Sequence, residues 1–157
     1  MDSYLLLKLV HILSAVVVAG TGTGIAFFMF MANRSANVAA LAVTTRHVVL
    51  ADWLFTAPAV VTQAVTGVLL MDRLGFTFTS AWFLLVGSLF GFIGLCWLPV
   101  IAIQYRLRAL AEQALITGVL APGFHRLMRY WTALGIPAFA AMVVLFWLMV
   151  FKPLPVV

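Results

Sequence analysis

Three histidines, four acidic residues and one cysteine are the main groups this chain of 157 residues offers for acid–base, metal or redox chemistry. His11 stands inside the apolar run YLLLKLVHILSAVVVAGTGTGIAFFMF, Tyr4 to Phe30, with Ser14, Ala15, Val18 and Gly22 on its helical face. An ionisable side chain inside such a run is costly, so it either hydrogen-bonds a neighbouring helix or holds a ligand. A neutral imidazole suits a heme iron. The small residues beside it would leave room either for a close helix neighbour or for a flat ligand. His47, Asp52 and His125 form a second candidate group, with Asp52 expected to pair with an arginine such as Arg129 or Arg106, and a metal or heme site between His47 and His125 as the sharper reading. Cys96 is alone, so no disulfide framework exists. HExxH, GxGxxG, P-loop and Ser–His–Asp patterns are absent, which argues against hydrolysis and nucleotide chemistry.

The elements that must position these residues follow from composition. The chain is 66% hydrophobic and 8% charged, with a mean hydropathy of +1.20. A soluble domain of this size has too much surface to hide that much apolar side chain. Four runs reach the roughly 20 residues needed to span a bilayer: about 4–31, 47–71, 80–105 and 131–151. A short interfacial helix is expected at about 106–116, closed by Gly118, Pro122 and Gly123. The first run starts on Asp2 and is too long for a signal-peptide core, so it reads as a retained span. The fold class is thus all-α: an integral-membrane four-helix bundle, antiparallel and up-down, in one domain over residues 1–157.

The net charge of +5 resides mainly in the gaps between spans, where it orients a membrane protein and gives no sign of nucleic-acid binding. Arg34, Arg46, Arg106, Arg108, Arg126 and Arg129 lie on one side, and Lys8, Arg73 and Lys152 on the other. The excess places the arginine side in the cytoplasm and both termini outside, in the periplasm of a bacterium whose inner membrane the chain would cross four times.

Counting along antiparallel helices puts His11 roughly 10 Å below the outer helix end, level with Gln63, Thr66, Gly87, Gly91 and Met142. A heme site there would use His11 as the iron ligand and Ser14 or Gln63 as the group bonded to its other nitrogen. Gly87 and Gly91 would make room for the porphyrin, and Met142 would serve as a soft sixth ligand. The blunter reading is a packing histidine bonded to Thr or Gln of the second span. His47 lies some 20 Å away along the membrane normal and cannot share the same iron.

The segment LLLKLVHILSAVVVAG resembles the first helix of the HemJ-type protoporphyrinogen oxidases, and TAPAVVTQAVTGVLL resembles their second. FHRLMRYWTALGIPAFAAMVVLFWLMVFKPL is similar in its Phe-x-Arg start and final Lys-Pro. Taken whole, the chain most resembles DUF2269, a set of bacterial four-helix membrane proteins defined only as a domain of unknown function. The HemJ likeness implies b-type heme on the helix-1 histidine, here His11, and electron removal from a porphyrinogen. A lysine after Trp82 and an acid at the start of the fourth span, both part of that pattern, are missing, so the likeness implies the ligand more than the catalysis.

Three functions are consistent with these residues. The first is a heme b protein exchanging electrons with quinone or a redox partner. The second is an oxidoreductase acting on a porphyrinogen-like substrate. The third is a cofactor-free accessory or transport-related membrane protein in which His11 only packs. The partners expected are the lipid bilayer and, in the redox readings, a quinone or partner protein; a homo-oligomer is compatible with all three.

Overall fold

A backbone in lipid must satisfy its own N–H and C=O groups, so each apolar run becomes a helix. The computed structural model describes residues 3–154. Helix α1 spans Ser3–Ser35, α2 Val38–Ala51, α3 Ala57–Leu74, α4 Ala81–Thr117 and α5 Pro122–Phe151. A π-helical turn, Asp52–Thr56, joins α2 to α3 without a break. The result is four rods long and apolar enough to cross a membrane: Ser3–Ser35, Val38–Leu74, Ala81–Thr117 and Pro122–Phe151. No strand occurs among the described residues.

The rods run well past the apolar segments at the arginine side. Residues 32–46 are not a loop: apart from a turn at Ala36, they continue α1 and then form most of α2. Asn37 caps α2 by accepting a hydrogen bond from the Ala40 N–H at 3.1 Å. Leu41, Ala42, Thr45, Val48 and Val49 make its buried stripe. The expected interfacial helix at 106–116 is the unbroken continuation of α4, and α5 starts nine residues before Trp131, at Pro122. Hydropathy marks where lipid ends. It does not mark where a helix ends, and amphipathic turns beyond the lipid stay helical by packing on one another.

That packing builds the core. Met29, Ala32, Leu41, Ala42, Val48, Leu107, Ala111, Phe124, Met128 and Trp131 form one buried cluster at the arginine end. Toward the chain termini the molecule divides into two hairpins. α1 packs on α3 and α4 packs on α5, while α2 bridges the pairs through α1 and α4. Among the described residues, α3 makes little contact with α4 although the two are consecutive. Gly75 (φ +66) ends α3 in a left-handed cap and Ser80 caps α4. The Trp82 indole N–H donates to the Leu148 carbonyl at 3.0 Å, which ties the start of α4 to the end of α5.

Candidate functional site

The polar residues inside the membrane segment assemble between α1 and α3. His11 and Ser14 lie on one face of α1, three residues apart; Gln63, Thr66 and Gly67 lie one turn apart on α3. His11 Nδ1 lies 2.8 Å from Thr66 Oγ1 and His11 Nε2 lies 3.0 Å from Gln63 Nε2. The Ser14 hydroxyl donates to Gln63 Oε1 at 2.5 Å and is also placed to donate to the His11 carbonyl at 2.9 Å. Thr66 spends its own proton on the Thr62 carbonyl at 2.6 Å. The proton assignment follows from that inventory. Thr66 must accept from the Nδ1–H of His11, and Gln63, whose carbonyl takes the serine proton, donates its amide N–H to Nε2. The imidazole is therefore neutral, with its lone pair on Nε2, and both ring nitrogens are engaged.

A small residue is required next to the ring. A Cβ at Gly67 would sit 3.4 Å from His11 Cε1, so the absence of a larger side chain lets α3 close on the imidazole. Ser14 and Thr66 are buried, while His11 and Gln63 are half-buried.

The remaining predicted residues are not part of this group. A Cβ added at Gly87 or Gly91 would meet nothing within 4 Å. Both glycines are exposed on α4, whose main partners among the described residues are α5 and α2, with little contact to α1. Met142 is half-buried on α5, whose main partner is α4. Depth counting fixed the level of these residues but not which helices are neighbours.

The second candidate group changes more. Asp52 is 5% exposed, yet no arginine pairs with it: the ion pairs among the described residues are Arg46–Glu112 at 3.4 Å and Arg108–Glu112 at 3.0 Å. The expected partners Arg106 and Arg129 are exposed. Asp52 instead opens the π turn, with Thr56, Gln104 and Trp97 as its nearest polar side chains. His47 and His125 are exposed, the latter edge-on to Phe124. Among the described residues, no three His, Cys, Asp or Glu side chains come together to hold a metal ion, so His47, Asp52 and His125 are not a ligand cluster. Sequence reasoning missed Gln104, 2% exposed, and Trp97. Their signal was a polar pair seven residues apart, two turns along one face of an apolar helix.

An open groove of about 520 Å³ runs between α4 and α5 at the arginine end, lined by Arg106, Arg126 and Tyr130 among apolar residues. Exposed apolar side chains cover the rest of the rods, as lipid requires.

No curated protein and no solved structure matches the chain. The family comparison agrees with the architecture: the profile of predicted integral membrane proteins named DUF2269 matches residues 5–153, and the chain belongs to that family.

Proposed function

We propose that this is a cofactor-independent accessory protein of the bacterial inner membrane, in which His11 serves as an interhelical clasp. The observation that carries this reading is the engagement of both imidazole nitrogens, by Thr66 and Gln63. The clasp holds α1 to α3 in the half of the molecule where the two hairpins make little contact, and so leaves α4–α5 free to move against α1–α3. At the other end, α4 continues for twelve residues past Tyr105, roughly 18 Å. With α2 and the start of α5 it forms a packed, arginine-bearing platform beyond the lipid. In this reading the platform is cytoplasmic and both termini are periplasmic, as the charge asymmetry favours. A reporter fused after Val157 should then give a periplasmic signal; a cytoplasmic signal would invert the platform and remove this assignment.

Heme b on His11, in a protein exchanging electrons with quinone or a partner or oxidising a porphyrinogen, is the second reading. One observation favours it: the Nδ1–H bond to Thr66 leaves the lone pair on Nε2, the state an axial ligand needs. The surroundings of that nitrogen do not fit the group. Gln63 occupies Nε2 and Gly67 closes on Cε1, so iron could approach only if α3 gave up the Gln63 contact. An absorption spectrum of the protein purified from heme-replete cells decides between the two. The clasp reading expects no Soret band; a stoichiometric band lost in His11→Ala would replace it with the heme reading.

A further inference from the structure

The π turn holds a built polar site with no assigned role. Asp52 and Thr56 are 5% and 6% exposed, and Asp52 has Thr56 and, on α4, Gln104 and Trp97 as its polar neighbours. Three buried atoms of this group have no hydrogen-bond partner: Asp52 Oδ2, Thr56 Oγ1 and Trp97 Nε1. Between Asp52 and Trp97 lies a small cavity of about 10 Å³, bounded also by Trp53, Ala57 and Ile101, so the carboxyl group has almost no space beside it. Orphaned buried polar atoms are rare in folded proteins and call for an explanation. So does a π turn, which costs regular helix hydrogen bonds and recurs at functional positions.

An ionised carboxylate in this place would lack a counter-charge. α1 carries no ionisable side chain between His11 and Arg34, and neither does the chain between Asp52 and Asp72. On α4 the ionisable groups near this level are Cys96, Tyr105 and Arg106. Tyr105 accepts from the Trp53 indole N–H at 2.8 Å, and Arg106 is exposed. On α2, Arg46 turns to Glu112 and His47 is exposed. Burying an unpaired charge is expensive enough that such a group takes up a proton or a cation instead. A metal ion or ammonium group does not fit a cavity of that size, and the Trp97 N–H beside the carboxyl can only donate, so it would repel a cation.

We propose that Asp52 is a reversible proton-binding site, loaded from the arginine end. Arg46 lies six residues before Asp52 on the same rod, roughly 9 Å nearer that end. On loading, a hydronium ion gives its proton to the carboxylate and leaves as water. In the charged state Gln104 presents its N–H to the carboxylate; once that amide turns over, the neutral acid donates its O–H to the Gln104 carbonyl. On release, the carboxylate accepts the Trp97 N–H and the Thr56 O–H. Both states draw on donors and acceptors already present, so the π turn switches partners without rebuilding the helix.

Infrared difference spectra of the full-length protein in liposomes, between about pH 5 and about pH 9, test this directly. Wild type should develop the carbonyl band of a protonated carboxylic acid in an apolar setting as the pH falls. The band should be absent in Asp52→Asn and displaced in Asp52→Glu. Trp97→Phe removes a donor to the charged form, so the band should persist with its midpoint moved to higher pH. Dicyclohexylcarbodiimide, an apolar reagent for protonated carboxyls, should label Asp52 at the acid end of the range and lose it at the alkaline end. A wild-type protein with no such band, or with a band and labelling that do not change with pH, overturns the proposal. Because wild type alone decides it, poor folding of Asp52→Asn would not rescue the idea.

Discussion

His11 is gripped at both ring nitrogens, Nδ1 by Thr66 and Nε2 by Gln63, so α1 and α3 meet through one imidazole. An imidazole in an apolar run announced that it needed partners, and helical counting from both ends placed Gln63 and Thr66 at its level. What the sequence left open was the choice between holding a ligand and being held. That choice depends on rotamers and on the sideways position of α3, which neither depth nor periodicity encodes. The same blindness put Gly87, Gly91 and Met142 beside His11, when α4 and α5 belong to the other hairpin. The clasp makes its own prediction. His11→Ala removes the hydrogen bonds that tie α1 to Thr66 and to the Gln63 amide N–H and should lower stability in detergent by roughly 1–3 kcal/mol. Gly67→Ala should be tolerated, since its Cβ makes an ordinary contact at 3.4 Å, whereas Gly67→Leu should displace the ring and match His11→Ala. Equal melting of all four proteins would remove the clasp.

At the scale of elements, the four spans were legible because lipid imposes a single-valued rule: about 20 apolar residues, helical. Helix ends at the arginine side were not, since the signal there passes from hydropathy to amphipathic packing over short stretches rich in alanine and threonine. The α1–α2 junction shows what such a boundary involves. Ala36 adopts φ +53, a left-handed conformation that costs a Cβ-bearing residue roughly 1–2 kcal/mol, and Asn37 follows as the cap of α2. Ala36→Gly should therefore raise stability, by up to about 1 kcal/mol once the added freedom of the unfolded chain is counted. Asn37→Ala removes the cap and should lower stability by about 1 kcal/mol. Thermal unfolding in one detergent checks both, and a destabilised Ala36→Gly would mean that the junction is set by packing, not by backbone strain. The π turn had one sequence signal, Pro58 two residues beyond DWLFT, which has no N–H to give the ladder, but the partners that accommodate Asp52 come mainly from α4.

For the whole molecule, the consequence of the fold is an uneven distribution of stability. The buried core is concentrated at the arginine end, where α1, α2, α4 and α5 converge, while the opposite half consists of two hairpins joined by few contacts. Phe124, fully buried in that core, should cost about 3–5 kcal/mol when replaced by alanine, because four helices meet around it and cannot all collapse into the space. Gly87 and Gly91 lie in the open half, where an added side chain meets nothing within 4 Å. Gly87→Leu and Gly91→Leu should therefore insert normally and melt with wild type, with the new side chains facing lipid or the gap between hairpins. The comparison also discriminates between functions. If a flat cofactor occupied that gap, the same two leucines would displace it and lower the melting temperature of the loaded protein, although nothing in the polypeptide itself is disturbed. Melting curves of Phe124→Ala, Gly87→Leu and Gly91→Leu, recorded on protein from heme-replete cells, thus place the core and ask what fills the space between the hairpins. A loss confined to Phe124→Ala is the outcome that a cofactor-independent membrane scaffold requires.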